Sequence, residues 1–138
     1  MAFEQTLTTS FKEQVLLGVH DLDTDTIKLA LYTAEASLGA STTVYGTTNE
    51  VVGTGYTAGG VILTGATVLT SGTTAYVDFD NAVWPTAAFT ARGALIYNAS
   101  KGNKAIAVLD FGSDKTATTS FTVQMPANTA TAALIRFA

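Results

Sequence analysis

The chain has 138 residues, enough for one β-rich domain and no second. It is 47% hydrophobic and 13% charged, about half the usual share of charge, which excludes a disordered tail. Its formal net charge is −4 with only seven scattered Lys and Arg, so the basic footprint of a nucleic-acid binder is missing, and no cysteine is present for disulfide or thiolate chemistry. No apolar run approaches the roughly 18 residues of a membrane span. Residues 1–10 lack the basic start and apolar stretch of a signal peptide, so the chain reads as soluble and unexported, with no membrane partner.

Threonine supplies 25 residues and glycine 12, against two prolines, which points to β-branched strands joined by glycine-containing turns. Residues 2–7, with Phe3 and Leu7 apolar, read either as a free arm for a neighbouring subunit or as an edge strand over 4–8. Ser10 and Glu13 have the spacing of a capping box, and Gly18 suits the position just past a helix end. A two-turn helix is therefore predicted over 11–17, with Phe11 and Val15 on one face. So short a helix must pack on the rest of the fold or on another subunit.

Residues 26–32 alternate as a strand, with Ile27, Leu29 and Leu31 on one face and Lys28, Ala30 and Tyr32 on the other. Residues 33–60 form the longest weakly patterned stretch, of the kind that serves function or an interface. Strands are predicted over 61–69 and 74–79, separated by a turn at 70–73. Residues 93–111 read as a β-hairpin about a loop at 98–104, with Leu95 or Ile96, Ile106, and Val108 or Leu109 buried at its centre. Strands over 121–125, ended by Pro126, and over 133–137 complete the set. Seven or eight strands in this length predict an all-β fold: an antiparallel β-sandwich or jelly-roll-like barrel with a short N-terminal helix. The organisation is one domain over 1–138, with an arm and helix over 1–18 and the sandwich over 26–138.

The sequence offers no catalytic, cofactor-binding or metal-binding set. His20 beside Asp21 has the form of an orienting pair, but no nucleophile-elbow pattern accompanies it, and a histidine there also suits a helix C-terminus. Asp21, Asp23 and Asp25 alternate like the start of a calcium loop. Thr26 then stands where that loop needs glycine and Tyr32 where it needs glutamate, which favours a turn held by Asp side chains. Asp78 and Asp80 flank Phe79 and read as a solvated strand face. The stretch from Gly53 to Gly60 is glycine-rich but lacks the lysine and following helix of a phosphate loop. Tyr32, Tyr45, Tyr56, Tyr76, Tyr97 and Trp84 form no stripe and read as packing residues, with carbohydrate stacking as the alternative.

Several segments together resemble small structural proteins of tailed bacteriophages, from end to end. They are Phe11-Lys12-Glu13-Gln14 with Gly18-Val19-His20, then Ile27-Lys28-Leu29-Ala30-Leu31-Tyr32-Thr33, then Thr48-Asn49-Glu50-Val51 leading into Gly53-Thr54-Gly55-Tyr56. Ala91-Arg92-Gly93-Ala94-Leu95-Ile96-Tyr97-Asn98 and Val108-Leu109-Asp110-Phe111-Gly112 follow. The resemblance implies a non-enzymatic virion protein that decorates or cements the capsid, with a tail, collar or fibre component as the alternative. It implies the major capsid protein or other virion proteins as partners, a dimer or trimer, assembly in the host cytoplasm, and no cofactor.

Overall fold

Ile27–Tyr32 (β2) carries apolar side chains on both faces, and every residue but Lys28 is buried. A strand of that pattern belongs at the centre of a sheet covered on two sides. The computed structural model, which describes residues 3–138, places it there. Beside it runs the hairpin of Phe89–Asn98 (β7) and Lys104–Ala117 (β8). Two-residue strands Thr6–Leu7 (β1) and Val61–Ile62 (β3) close the edges of this five-stranded antiparallel sheet, in the order β1, β8, β7, β2, β3. Thr67–Ser71 (β4), Thr74–Asp78 (β5) and Ile135–Phe137 (β10) form a three-stranded sheet in the order β10, β5, β4. Ala82–Trp84 (β6) and Phe121–Val123 (β9) pair as a ribbon. The fold is all-β, with one short N-terminal helix, Thr9–Leu16 (α1).

One core lies where α1 and the two smaller sheets cover the first face of the large sheet. Phe11, Val77, Trp84, Phe121 and Ile135 pack there with Leu29, Leu31, Ile96 and Ile106. The sheets face one another as in a sandwich. A second, smaller core on the opposite face joins Ala30, Tyr32, Leu95, Tyr97 and Val108 to Phe3, Ala36, Leu38 and Tyr45. The weakly patterned segment 33–60 thus supplies Ala36, Leu38 and Tyr45 to the second face, and Val51 and Tyr56 to the first core.

The hairpin is longer at both ends than the predicted 93–111, because Phe89, Ala91 and Ala117 are themselves buried. Leu95, Ile96, Ile106 and Val108 are completely buried, as the sequence predicts, while Leu109 is partly so. The register shifts between Ile96 and Tyr97, since Ile96 faces Ala107 and Tyr97 faces Ala105; Ile106 is the extra residue of a bulge that presses into the first core. Ile106→Ala is expected to cost about 2–5 kcal/mol through lost burial and the cavity left behind. Chemical denaturation of the two proteins measures it, and equal midpoints would show that the bulge does not carry the core.

The helix begins earlier than predicted. Thr8, still in extended conformation from β1, is the N-cap: its hydroxyl accepts from the Phe11 N–H at 3.2 Å. Phe11 occupies the third helical position, where a capping box needs glutamate, so Ser10 and Glu13 form no such box. The C-terminus follows the sequence. Gly18 has φ +73°, its N–H reaches the Val15 carbonyl, and the Val19 N–H reaches the Gln14 carbonyl, the paired bonds of a Schellman ending.

The N-terminal residues have partners within the chain. Thr6 and Leu7 pair with Val108 and Ala107, Phe3 bridges Leu38, and the Arg92 guanidinium stacks over the Phe3 ring. This is the edge-strand alternative, shorter than 4–8, and not a free arm; Ala2 lies outside the described residues. The predicted strand 61–69 is two strands, broken at Gly65, whose φ is +76° and where a side chain would collide with the Asp80 carboxylate. Strands 121–125 and 133–137 shorten to three residues each, and β6 has no counterpart in the prediction. No helix among the described residues is long and apolar enough to cross a membrane.

Candidate functional site

Glu50 is the only charged residue between Glu35 and Asp78, and it is 7% exposed. The isolated bridge of Tyr32 to Glu50 ties it to β2. Its Oε1 accepts from the Tyr45 hydroxyl at 2.7 Å; its Oε2 accepts from the Gly59 N–H at 2.8 Å and from the Tyr56 hydroxyl. The Tyr56 oxygen in turn accepts from the Leu31 N–H at 3.0 Å, and Tyr97 donates to the Gly59 carbonyl at 2.7 Å. Tyr45 stacks on Tyr97 with centroids 4.6 Å apart. A charge is tolerated in such a place because charge-assisted bonds use both of its oxygens.

Burial raises the phenols of Tyr32, Tyr45, Tyr56 and Tyr97, and the Glu50 carboxylate raises them further; Tyr97 is pushed up to about 12. They therefore remain neutral donors near neutral pH. Neither the groove between α1 and the three-stranded sheet nor that between β8 and β9 is lined by Glu50 or by these four tyrosines. The arrangement works as a clasp that fastens segment 33–60 to the sheet.

The only histidine closes a second network. His20 Nε2 lies 2.8 Å from Gln14 Oε1, and Nδ1 lies 3.0 Å from Asn98 Nδ2. An amide nitrogen only donates, so Nδ1 accepts and the imidazole is neutral with its proton on Nε2. The completely buried Asn98 spends its second amide hydrogen on Asp25 Oδ2 at 2.8 Å and accepts from the Ser100 N–H at 3.0 Å. His20 is thus bound neither to Asp21 nor to the helix-end carbonyls; it joins α1 to the hairpin tip.

The aspartates make the turn expected of them. Asp21 Oδ1 accepts from the N–H groups of Asp23 and Thr24, and Asp25 accepts from the Asp21 N–H and from Lys101 at 3.4 Å. Burial pushes Asp25 up, but its bonds from Asn98, the Asp21 N–H and Lys101 outweigh that and leave it below the usual value. Among the described residues no three His, Asp or Glu lie close enough together to hold a metal ion.

Burial lowers His20 from its ordinary 6.5; Asp25 opposes that shift, and Lys104 and Lys101 add to it. A depressed folded-state value leaves stability intact above the unfolded value. Stability is then lost as pH falls below about 6.5, where the unfolded chain takes up the proton first. Thermal melts between pH 7.5 and 5 are expected to show this loss in the wild type and to lack it in His20→Gln. Parallel pH profiles of the two would contradict the neutral assignment.

Asp78 departs from the expected solvated face. It is 2% exposed because β5 lies between β4 and β10, and β5 ends there, so Asp78 and Asp80 do not share a strand face. Its Oδ1 accepts from the Phe79 N–H at 2.8 Å, whereas Oδ2 makes no full hydrogen bond among the described residues, with the Leu134 backbone opposing the effect of burial. Burial raises the carboxyl above the usual value. Asp80 is exposed, beside the Thr64 hydroxyl at 3.4 Å.

The glycine-rich stretch is a close-packed crossing. Side chains at Gly55 and Gly60, both at positive φ, would collide with the carbonyl oxygens of Thr86 and Leu29. The aromatics pack internally: Trp84 contacts Tyr56, Phe89 and Phe121, and Tyr32, Trp84 and Tyr97 are buried. They do not form an exposed stacking platform.

The surface also carries accessible apolar features. An open groove of ≈ 400 Å³ runs between the end of α1 and the three-stranded sheet, with Val15, His20, Val68, Val77, Ile135 and Phe137 on its walls. Leu16, Leu17, Val68, Leu69 and Phe137 are large apolar residues left exposed on α1, β4 and β10 or just beyond the helix. All five residues of β4 are exposed. No protein-family model, curated protein or solved structure matches the chain.

Patterning along the sequence does not single out Glu50 within the weakly patterned stretch 33–60. The signal was its isolation: a single charge in a long uncharged stretch, flanked by Tyr45 and Tyr56.

Proposed function

We propose that the chain is a non-enzymatic structural protein of a tailed-bacteriophage particle, and that it decorates or cements the capsid shell as a dimer or trimer. The single observation that carries this reading is the open, largely apolar groove between α1 and the three-stranded sheet, with Val68 and Phe137 exposed on its walls. An exposed apolar groove of this kind marks a contact surface. The polar groups that chemistry would draw on are otherwise engaged: Glu50 in its clasp, His20 between Gln14 and Asn98. The end-to-end sequence resemblance supplies the kind of particle. Repeated contacts of modest strength gain through multiplicity on a lattice. The partner is the major capsid protein, and assembly takes place in the host cytoplasm before release of the virion.

Electron cryomicroscopy of the parent particle tests the reading. Density for this chain is expected on the outer shell in many symmetric copies. Density confined to the tail, collar or fibres would reject the capsid placement, and absence from purified particles would reject the virion assignment.

A further inference from the structure

Strand β4 has its outer backbone edge unpaired: β5 is its one strand neighbour among the described residues, and its five residues are all exposed. Proteins usually guard such an edge with charge, proline or a kink. The other long open edge here is guarded. Beyond Val108, where β1 stops, β8 carries Asp110, Asp114 and Lys115 and a glycine at φ +83°, Gly112. Thr67–Ser71 has none of these devices, and no charged residue occurs anywhere over 51–77.

That neutrality bears on the partner. Each copy of the chain carries a net −4, so two copies repel over most of their surfaces. An uncharged edge is where a second copy can approach without that penalty. The strand β10 at the far edge of the same sheet has three residues and carries Arg136.

We propose that β4 pairs antiparallel with β4 of a second copy across a two-fold axis at Leu69, which joins two three-stranded sheets into one of six. The geometry is self-consistent. Gly72 and Thr73 make a two-residue turn, so Ser71 and Thr74 are a hydrogen-bonded pair and Leu69 with Tyr76 is the next. The N–H and C=O groups of Val68 and Thr70 then point outward. A two-fold at Leu69 sets Val68 against Thr70 of the other copy as bonded pairs and brings the two Leu69 side chains together. The contact is isologous, so it closes at two copies and does not propagate. The inference rests on the reading of a multi-copy structural protein and names the surface through which copies meet.

The absence of cysteine from the chain makes the test clean. Full-length protein is expected to be a dimer by light scattering. Leu69→Cys should give a reducible covalent dimer under mild oxidation, while Thr122→Cys, exposed on β9, should not. Leu69→Lys should be monomeric with an unchanged circular dichroism spectrum, as should Leu69→Glu, and mixing the two should restore a dimer. A monomeric or trimeric wild type, equal cross-linking at Thr122, or a dimer indifferent to Leu69→Lys overturns the pairing. None of these results alters where density for the chain falls on the particle, so the two readings fail separately.

Discussion

Replacing Glu50 by alanine is expected to lower stability by about 3 kcal/mol. The change leaves the Tyr45 and Tyr56 hydroxyls and the Gly59 N–H without their acceptor, at about 1–3 kcal/mol for each buried group not recovered by water. Glu50→Gln keeps one acceptor oxygen but turns an amide donor toward other donors, so its loss should be smaller yet clear. The expected order of thermal midpoints is wild type, then Gln, then Ala. Midpoints for all three within about 1 °C, below the shift that about 1 kcal/mol gives in a domain of this size, would show that the clasp holds nothing.

The second large effect is expected at Gly60. Its φ of +79° costs any other residue about 1–2 kcal/mol. In addition, a methyl group would strike the Leu29 carbonyl oxygen of β2, so either that strand or segment 33–60 must move. Gly72 is the control, because its φ of +61° is similar and nothing lies within 4 Å of an added Cβ. Gly72→Ala should therefore show the conformational cost alone and Gly60→Ala a distinctly larger one. Urea denaturation compares them; equal losses would mean that the close approach at Leu29 is unimportant.

These two sites mark the boundary of what the sequence made legible. Period-2 alternation in 26–32 and the apolar runs of the hairpin reveal β2, β7 and β8, since a buried strand must be apolar where it touches neighbours. Gly18 reveals the helix end for a comparable local reason. A strand of three residues such as β6 is too short for any period to register, and the bounds of the short strands β1 and β3 are decided by pairing partners distant in sequence. Segment 33–60 is opaque for a related reason: what holds it is a few polar groups meeting in space, and hydrogen-bond partners 14 to 38 residues apart, such as Tyr32 with Gly46 or Tyr97 with Gly59, leave no pattern along the chain. Asp78 was misplaced because alternation alone cannot tell a central strand from an edge strand.

The two faces of the large sheet are covered by different means, and this separates them in time. The first face is sealed by interlocked apolar side chains from α1, the smaller sheets, Val51 and Tyr56, whereas the second is covered by a smaller apolar cluster that includes Tyr45 and Tyr97 beside the Glu50 clasp. Regions with few apolar contacts open at a free energy below that of global unfolding. In native-state hydrogen exchange, the Tyr45 and Gly59 amides, which bond to the Asn103 carbonyl and to Glu50, should exchange together through one partial opening. The amides of Leu95, Ile96 and Val108 should wait for the whole molecule to unfold. Glu50→Ala should speed the first group more than the second, which makes the covering segment a cooperative unit of its own.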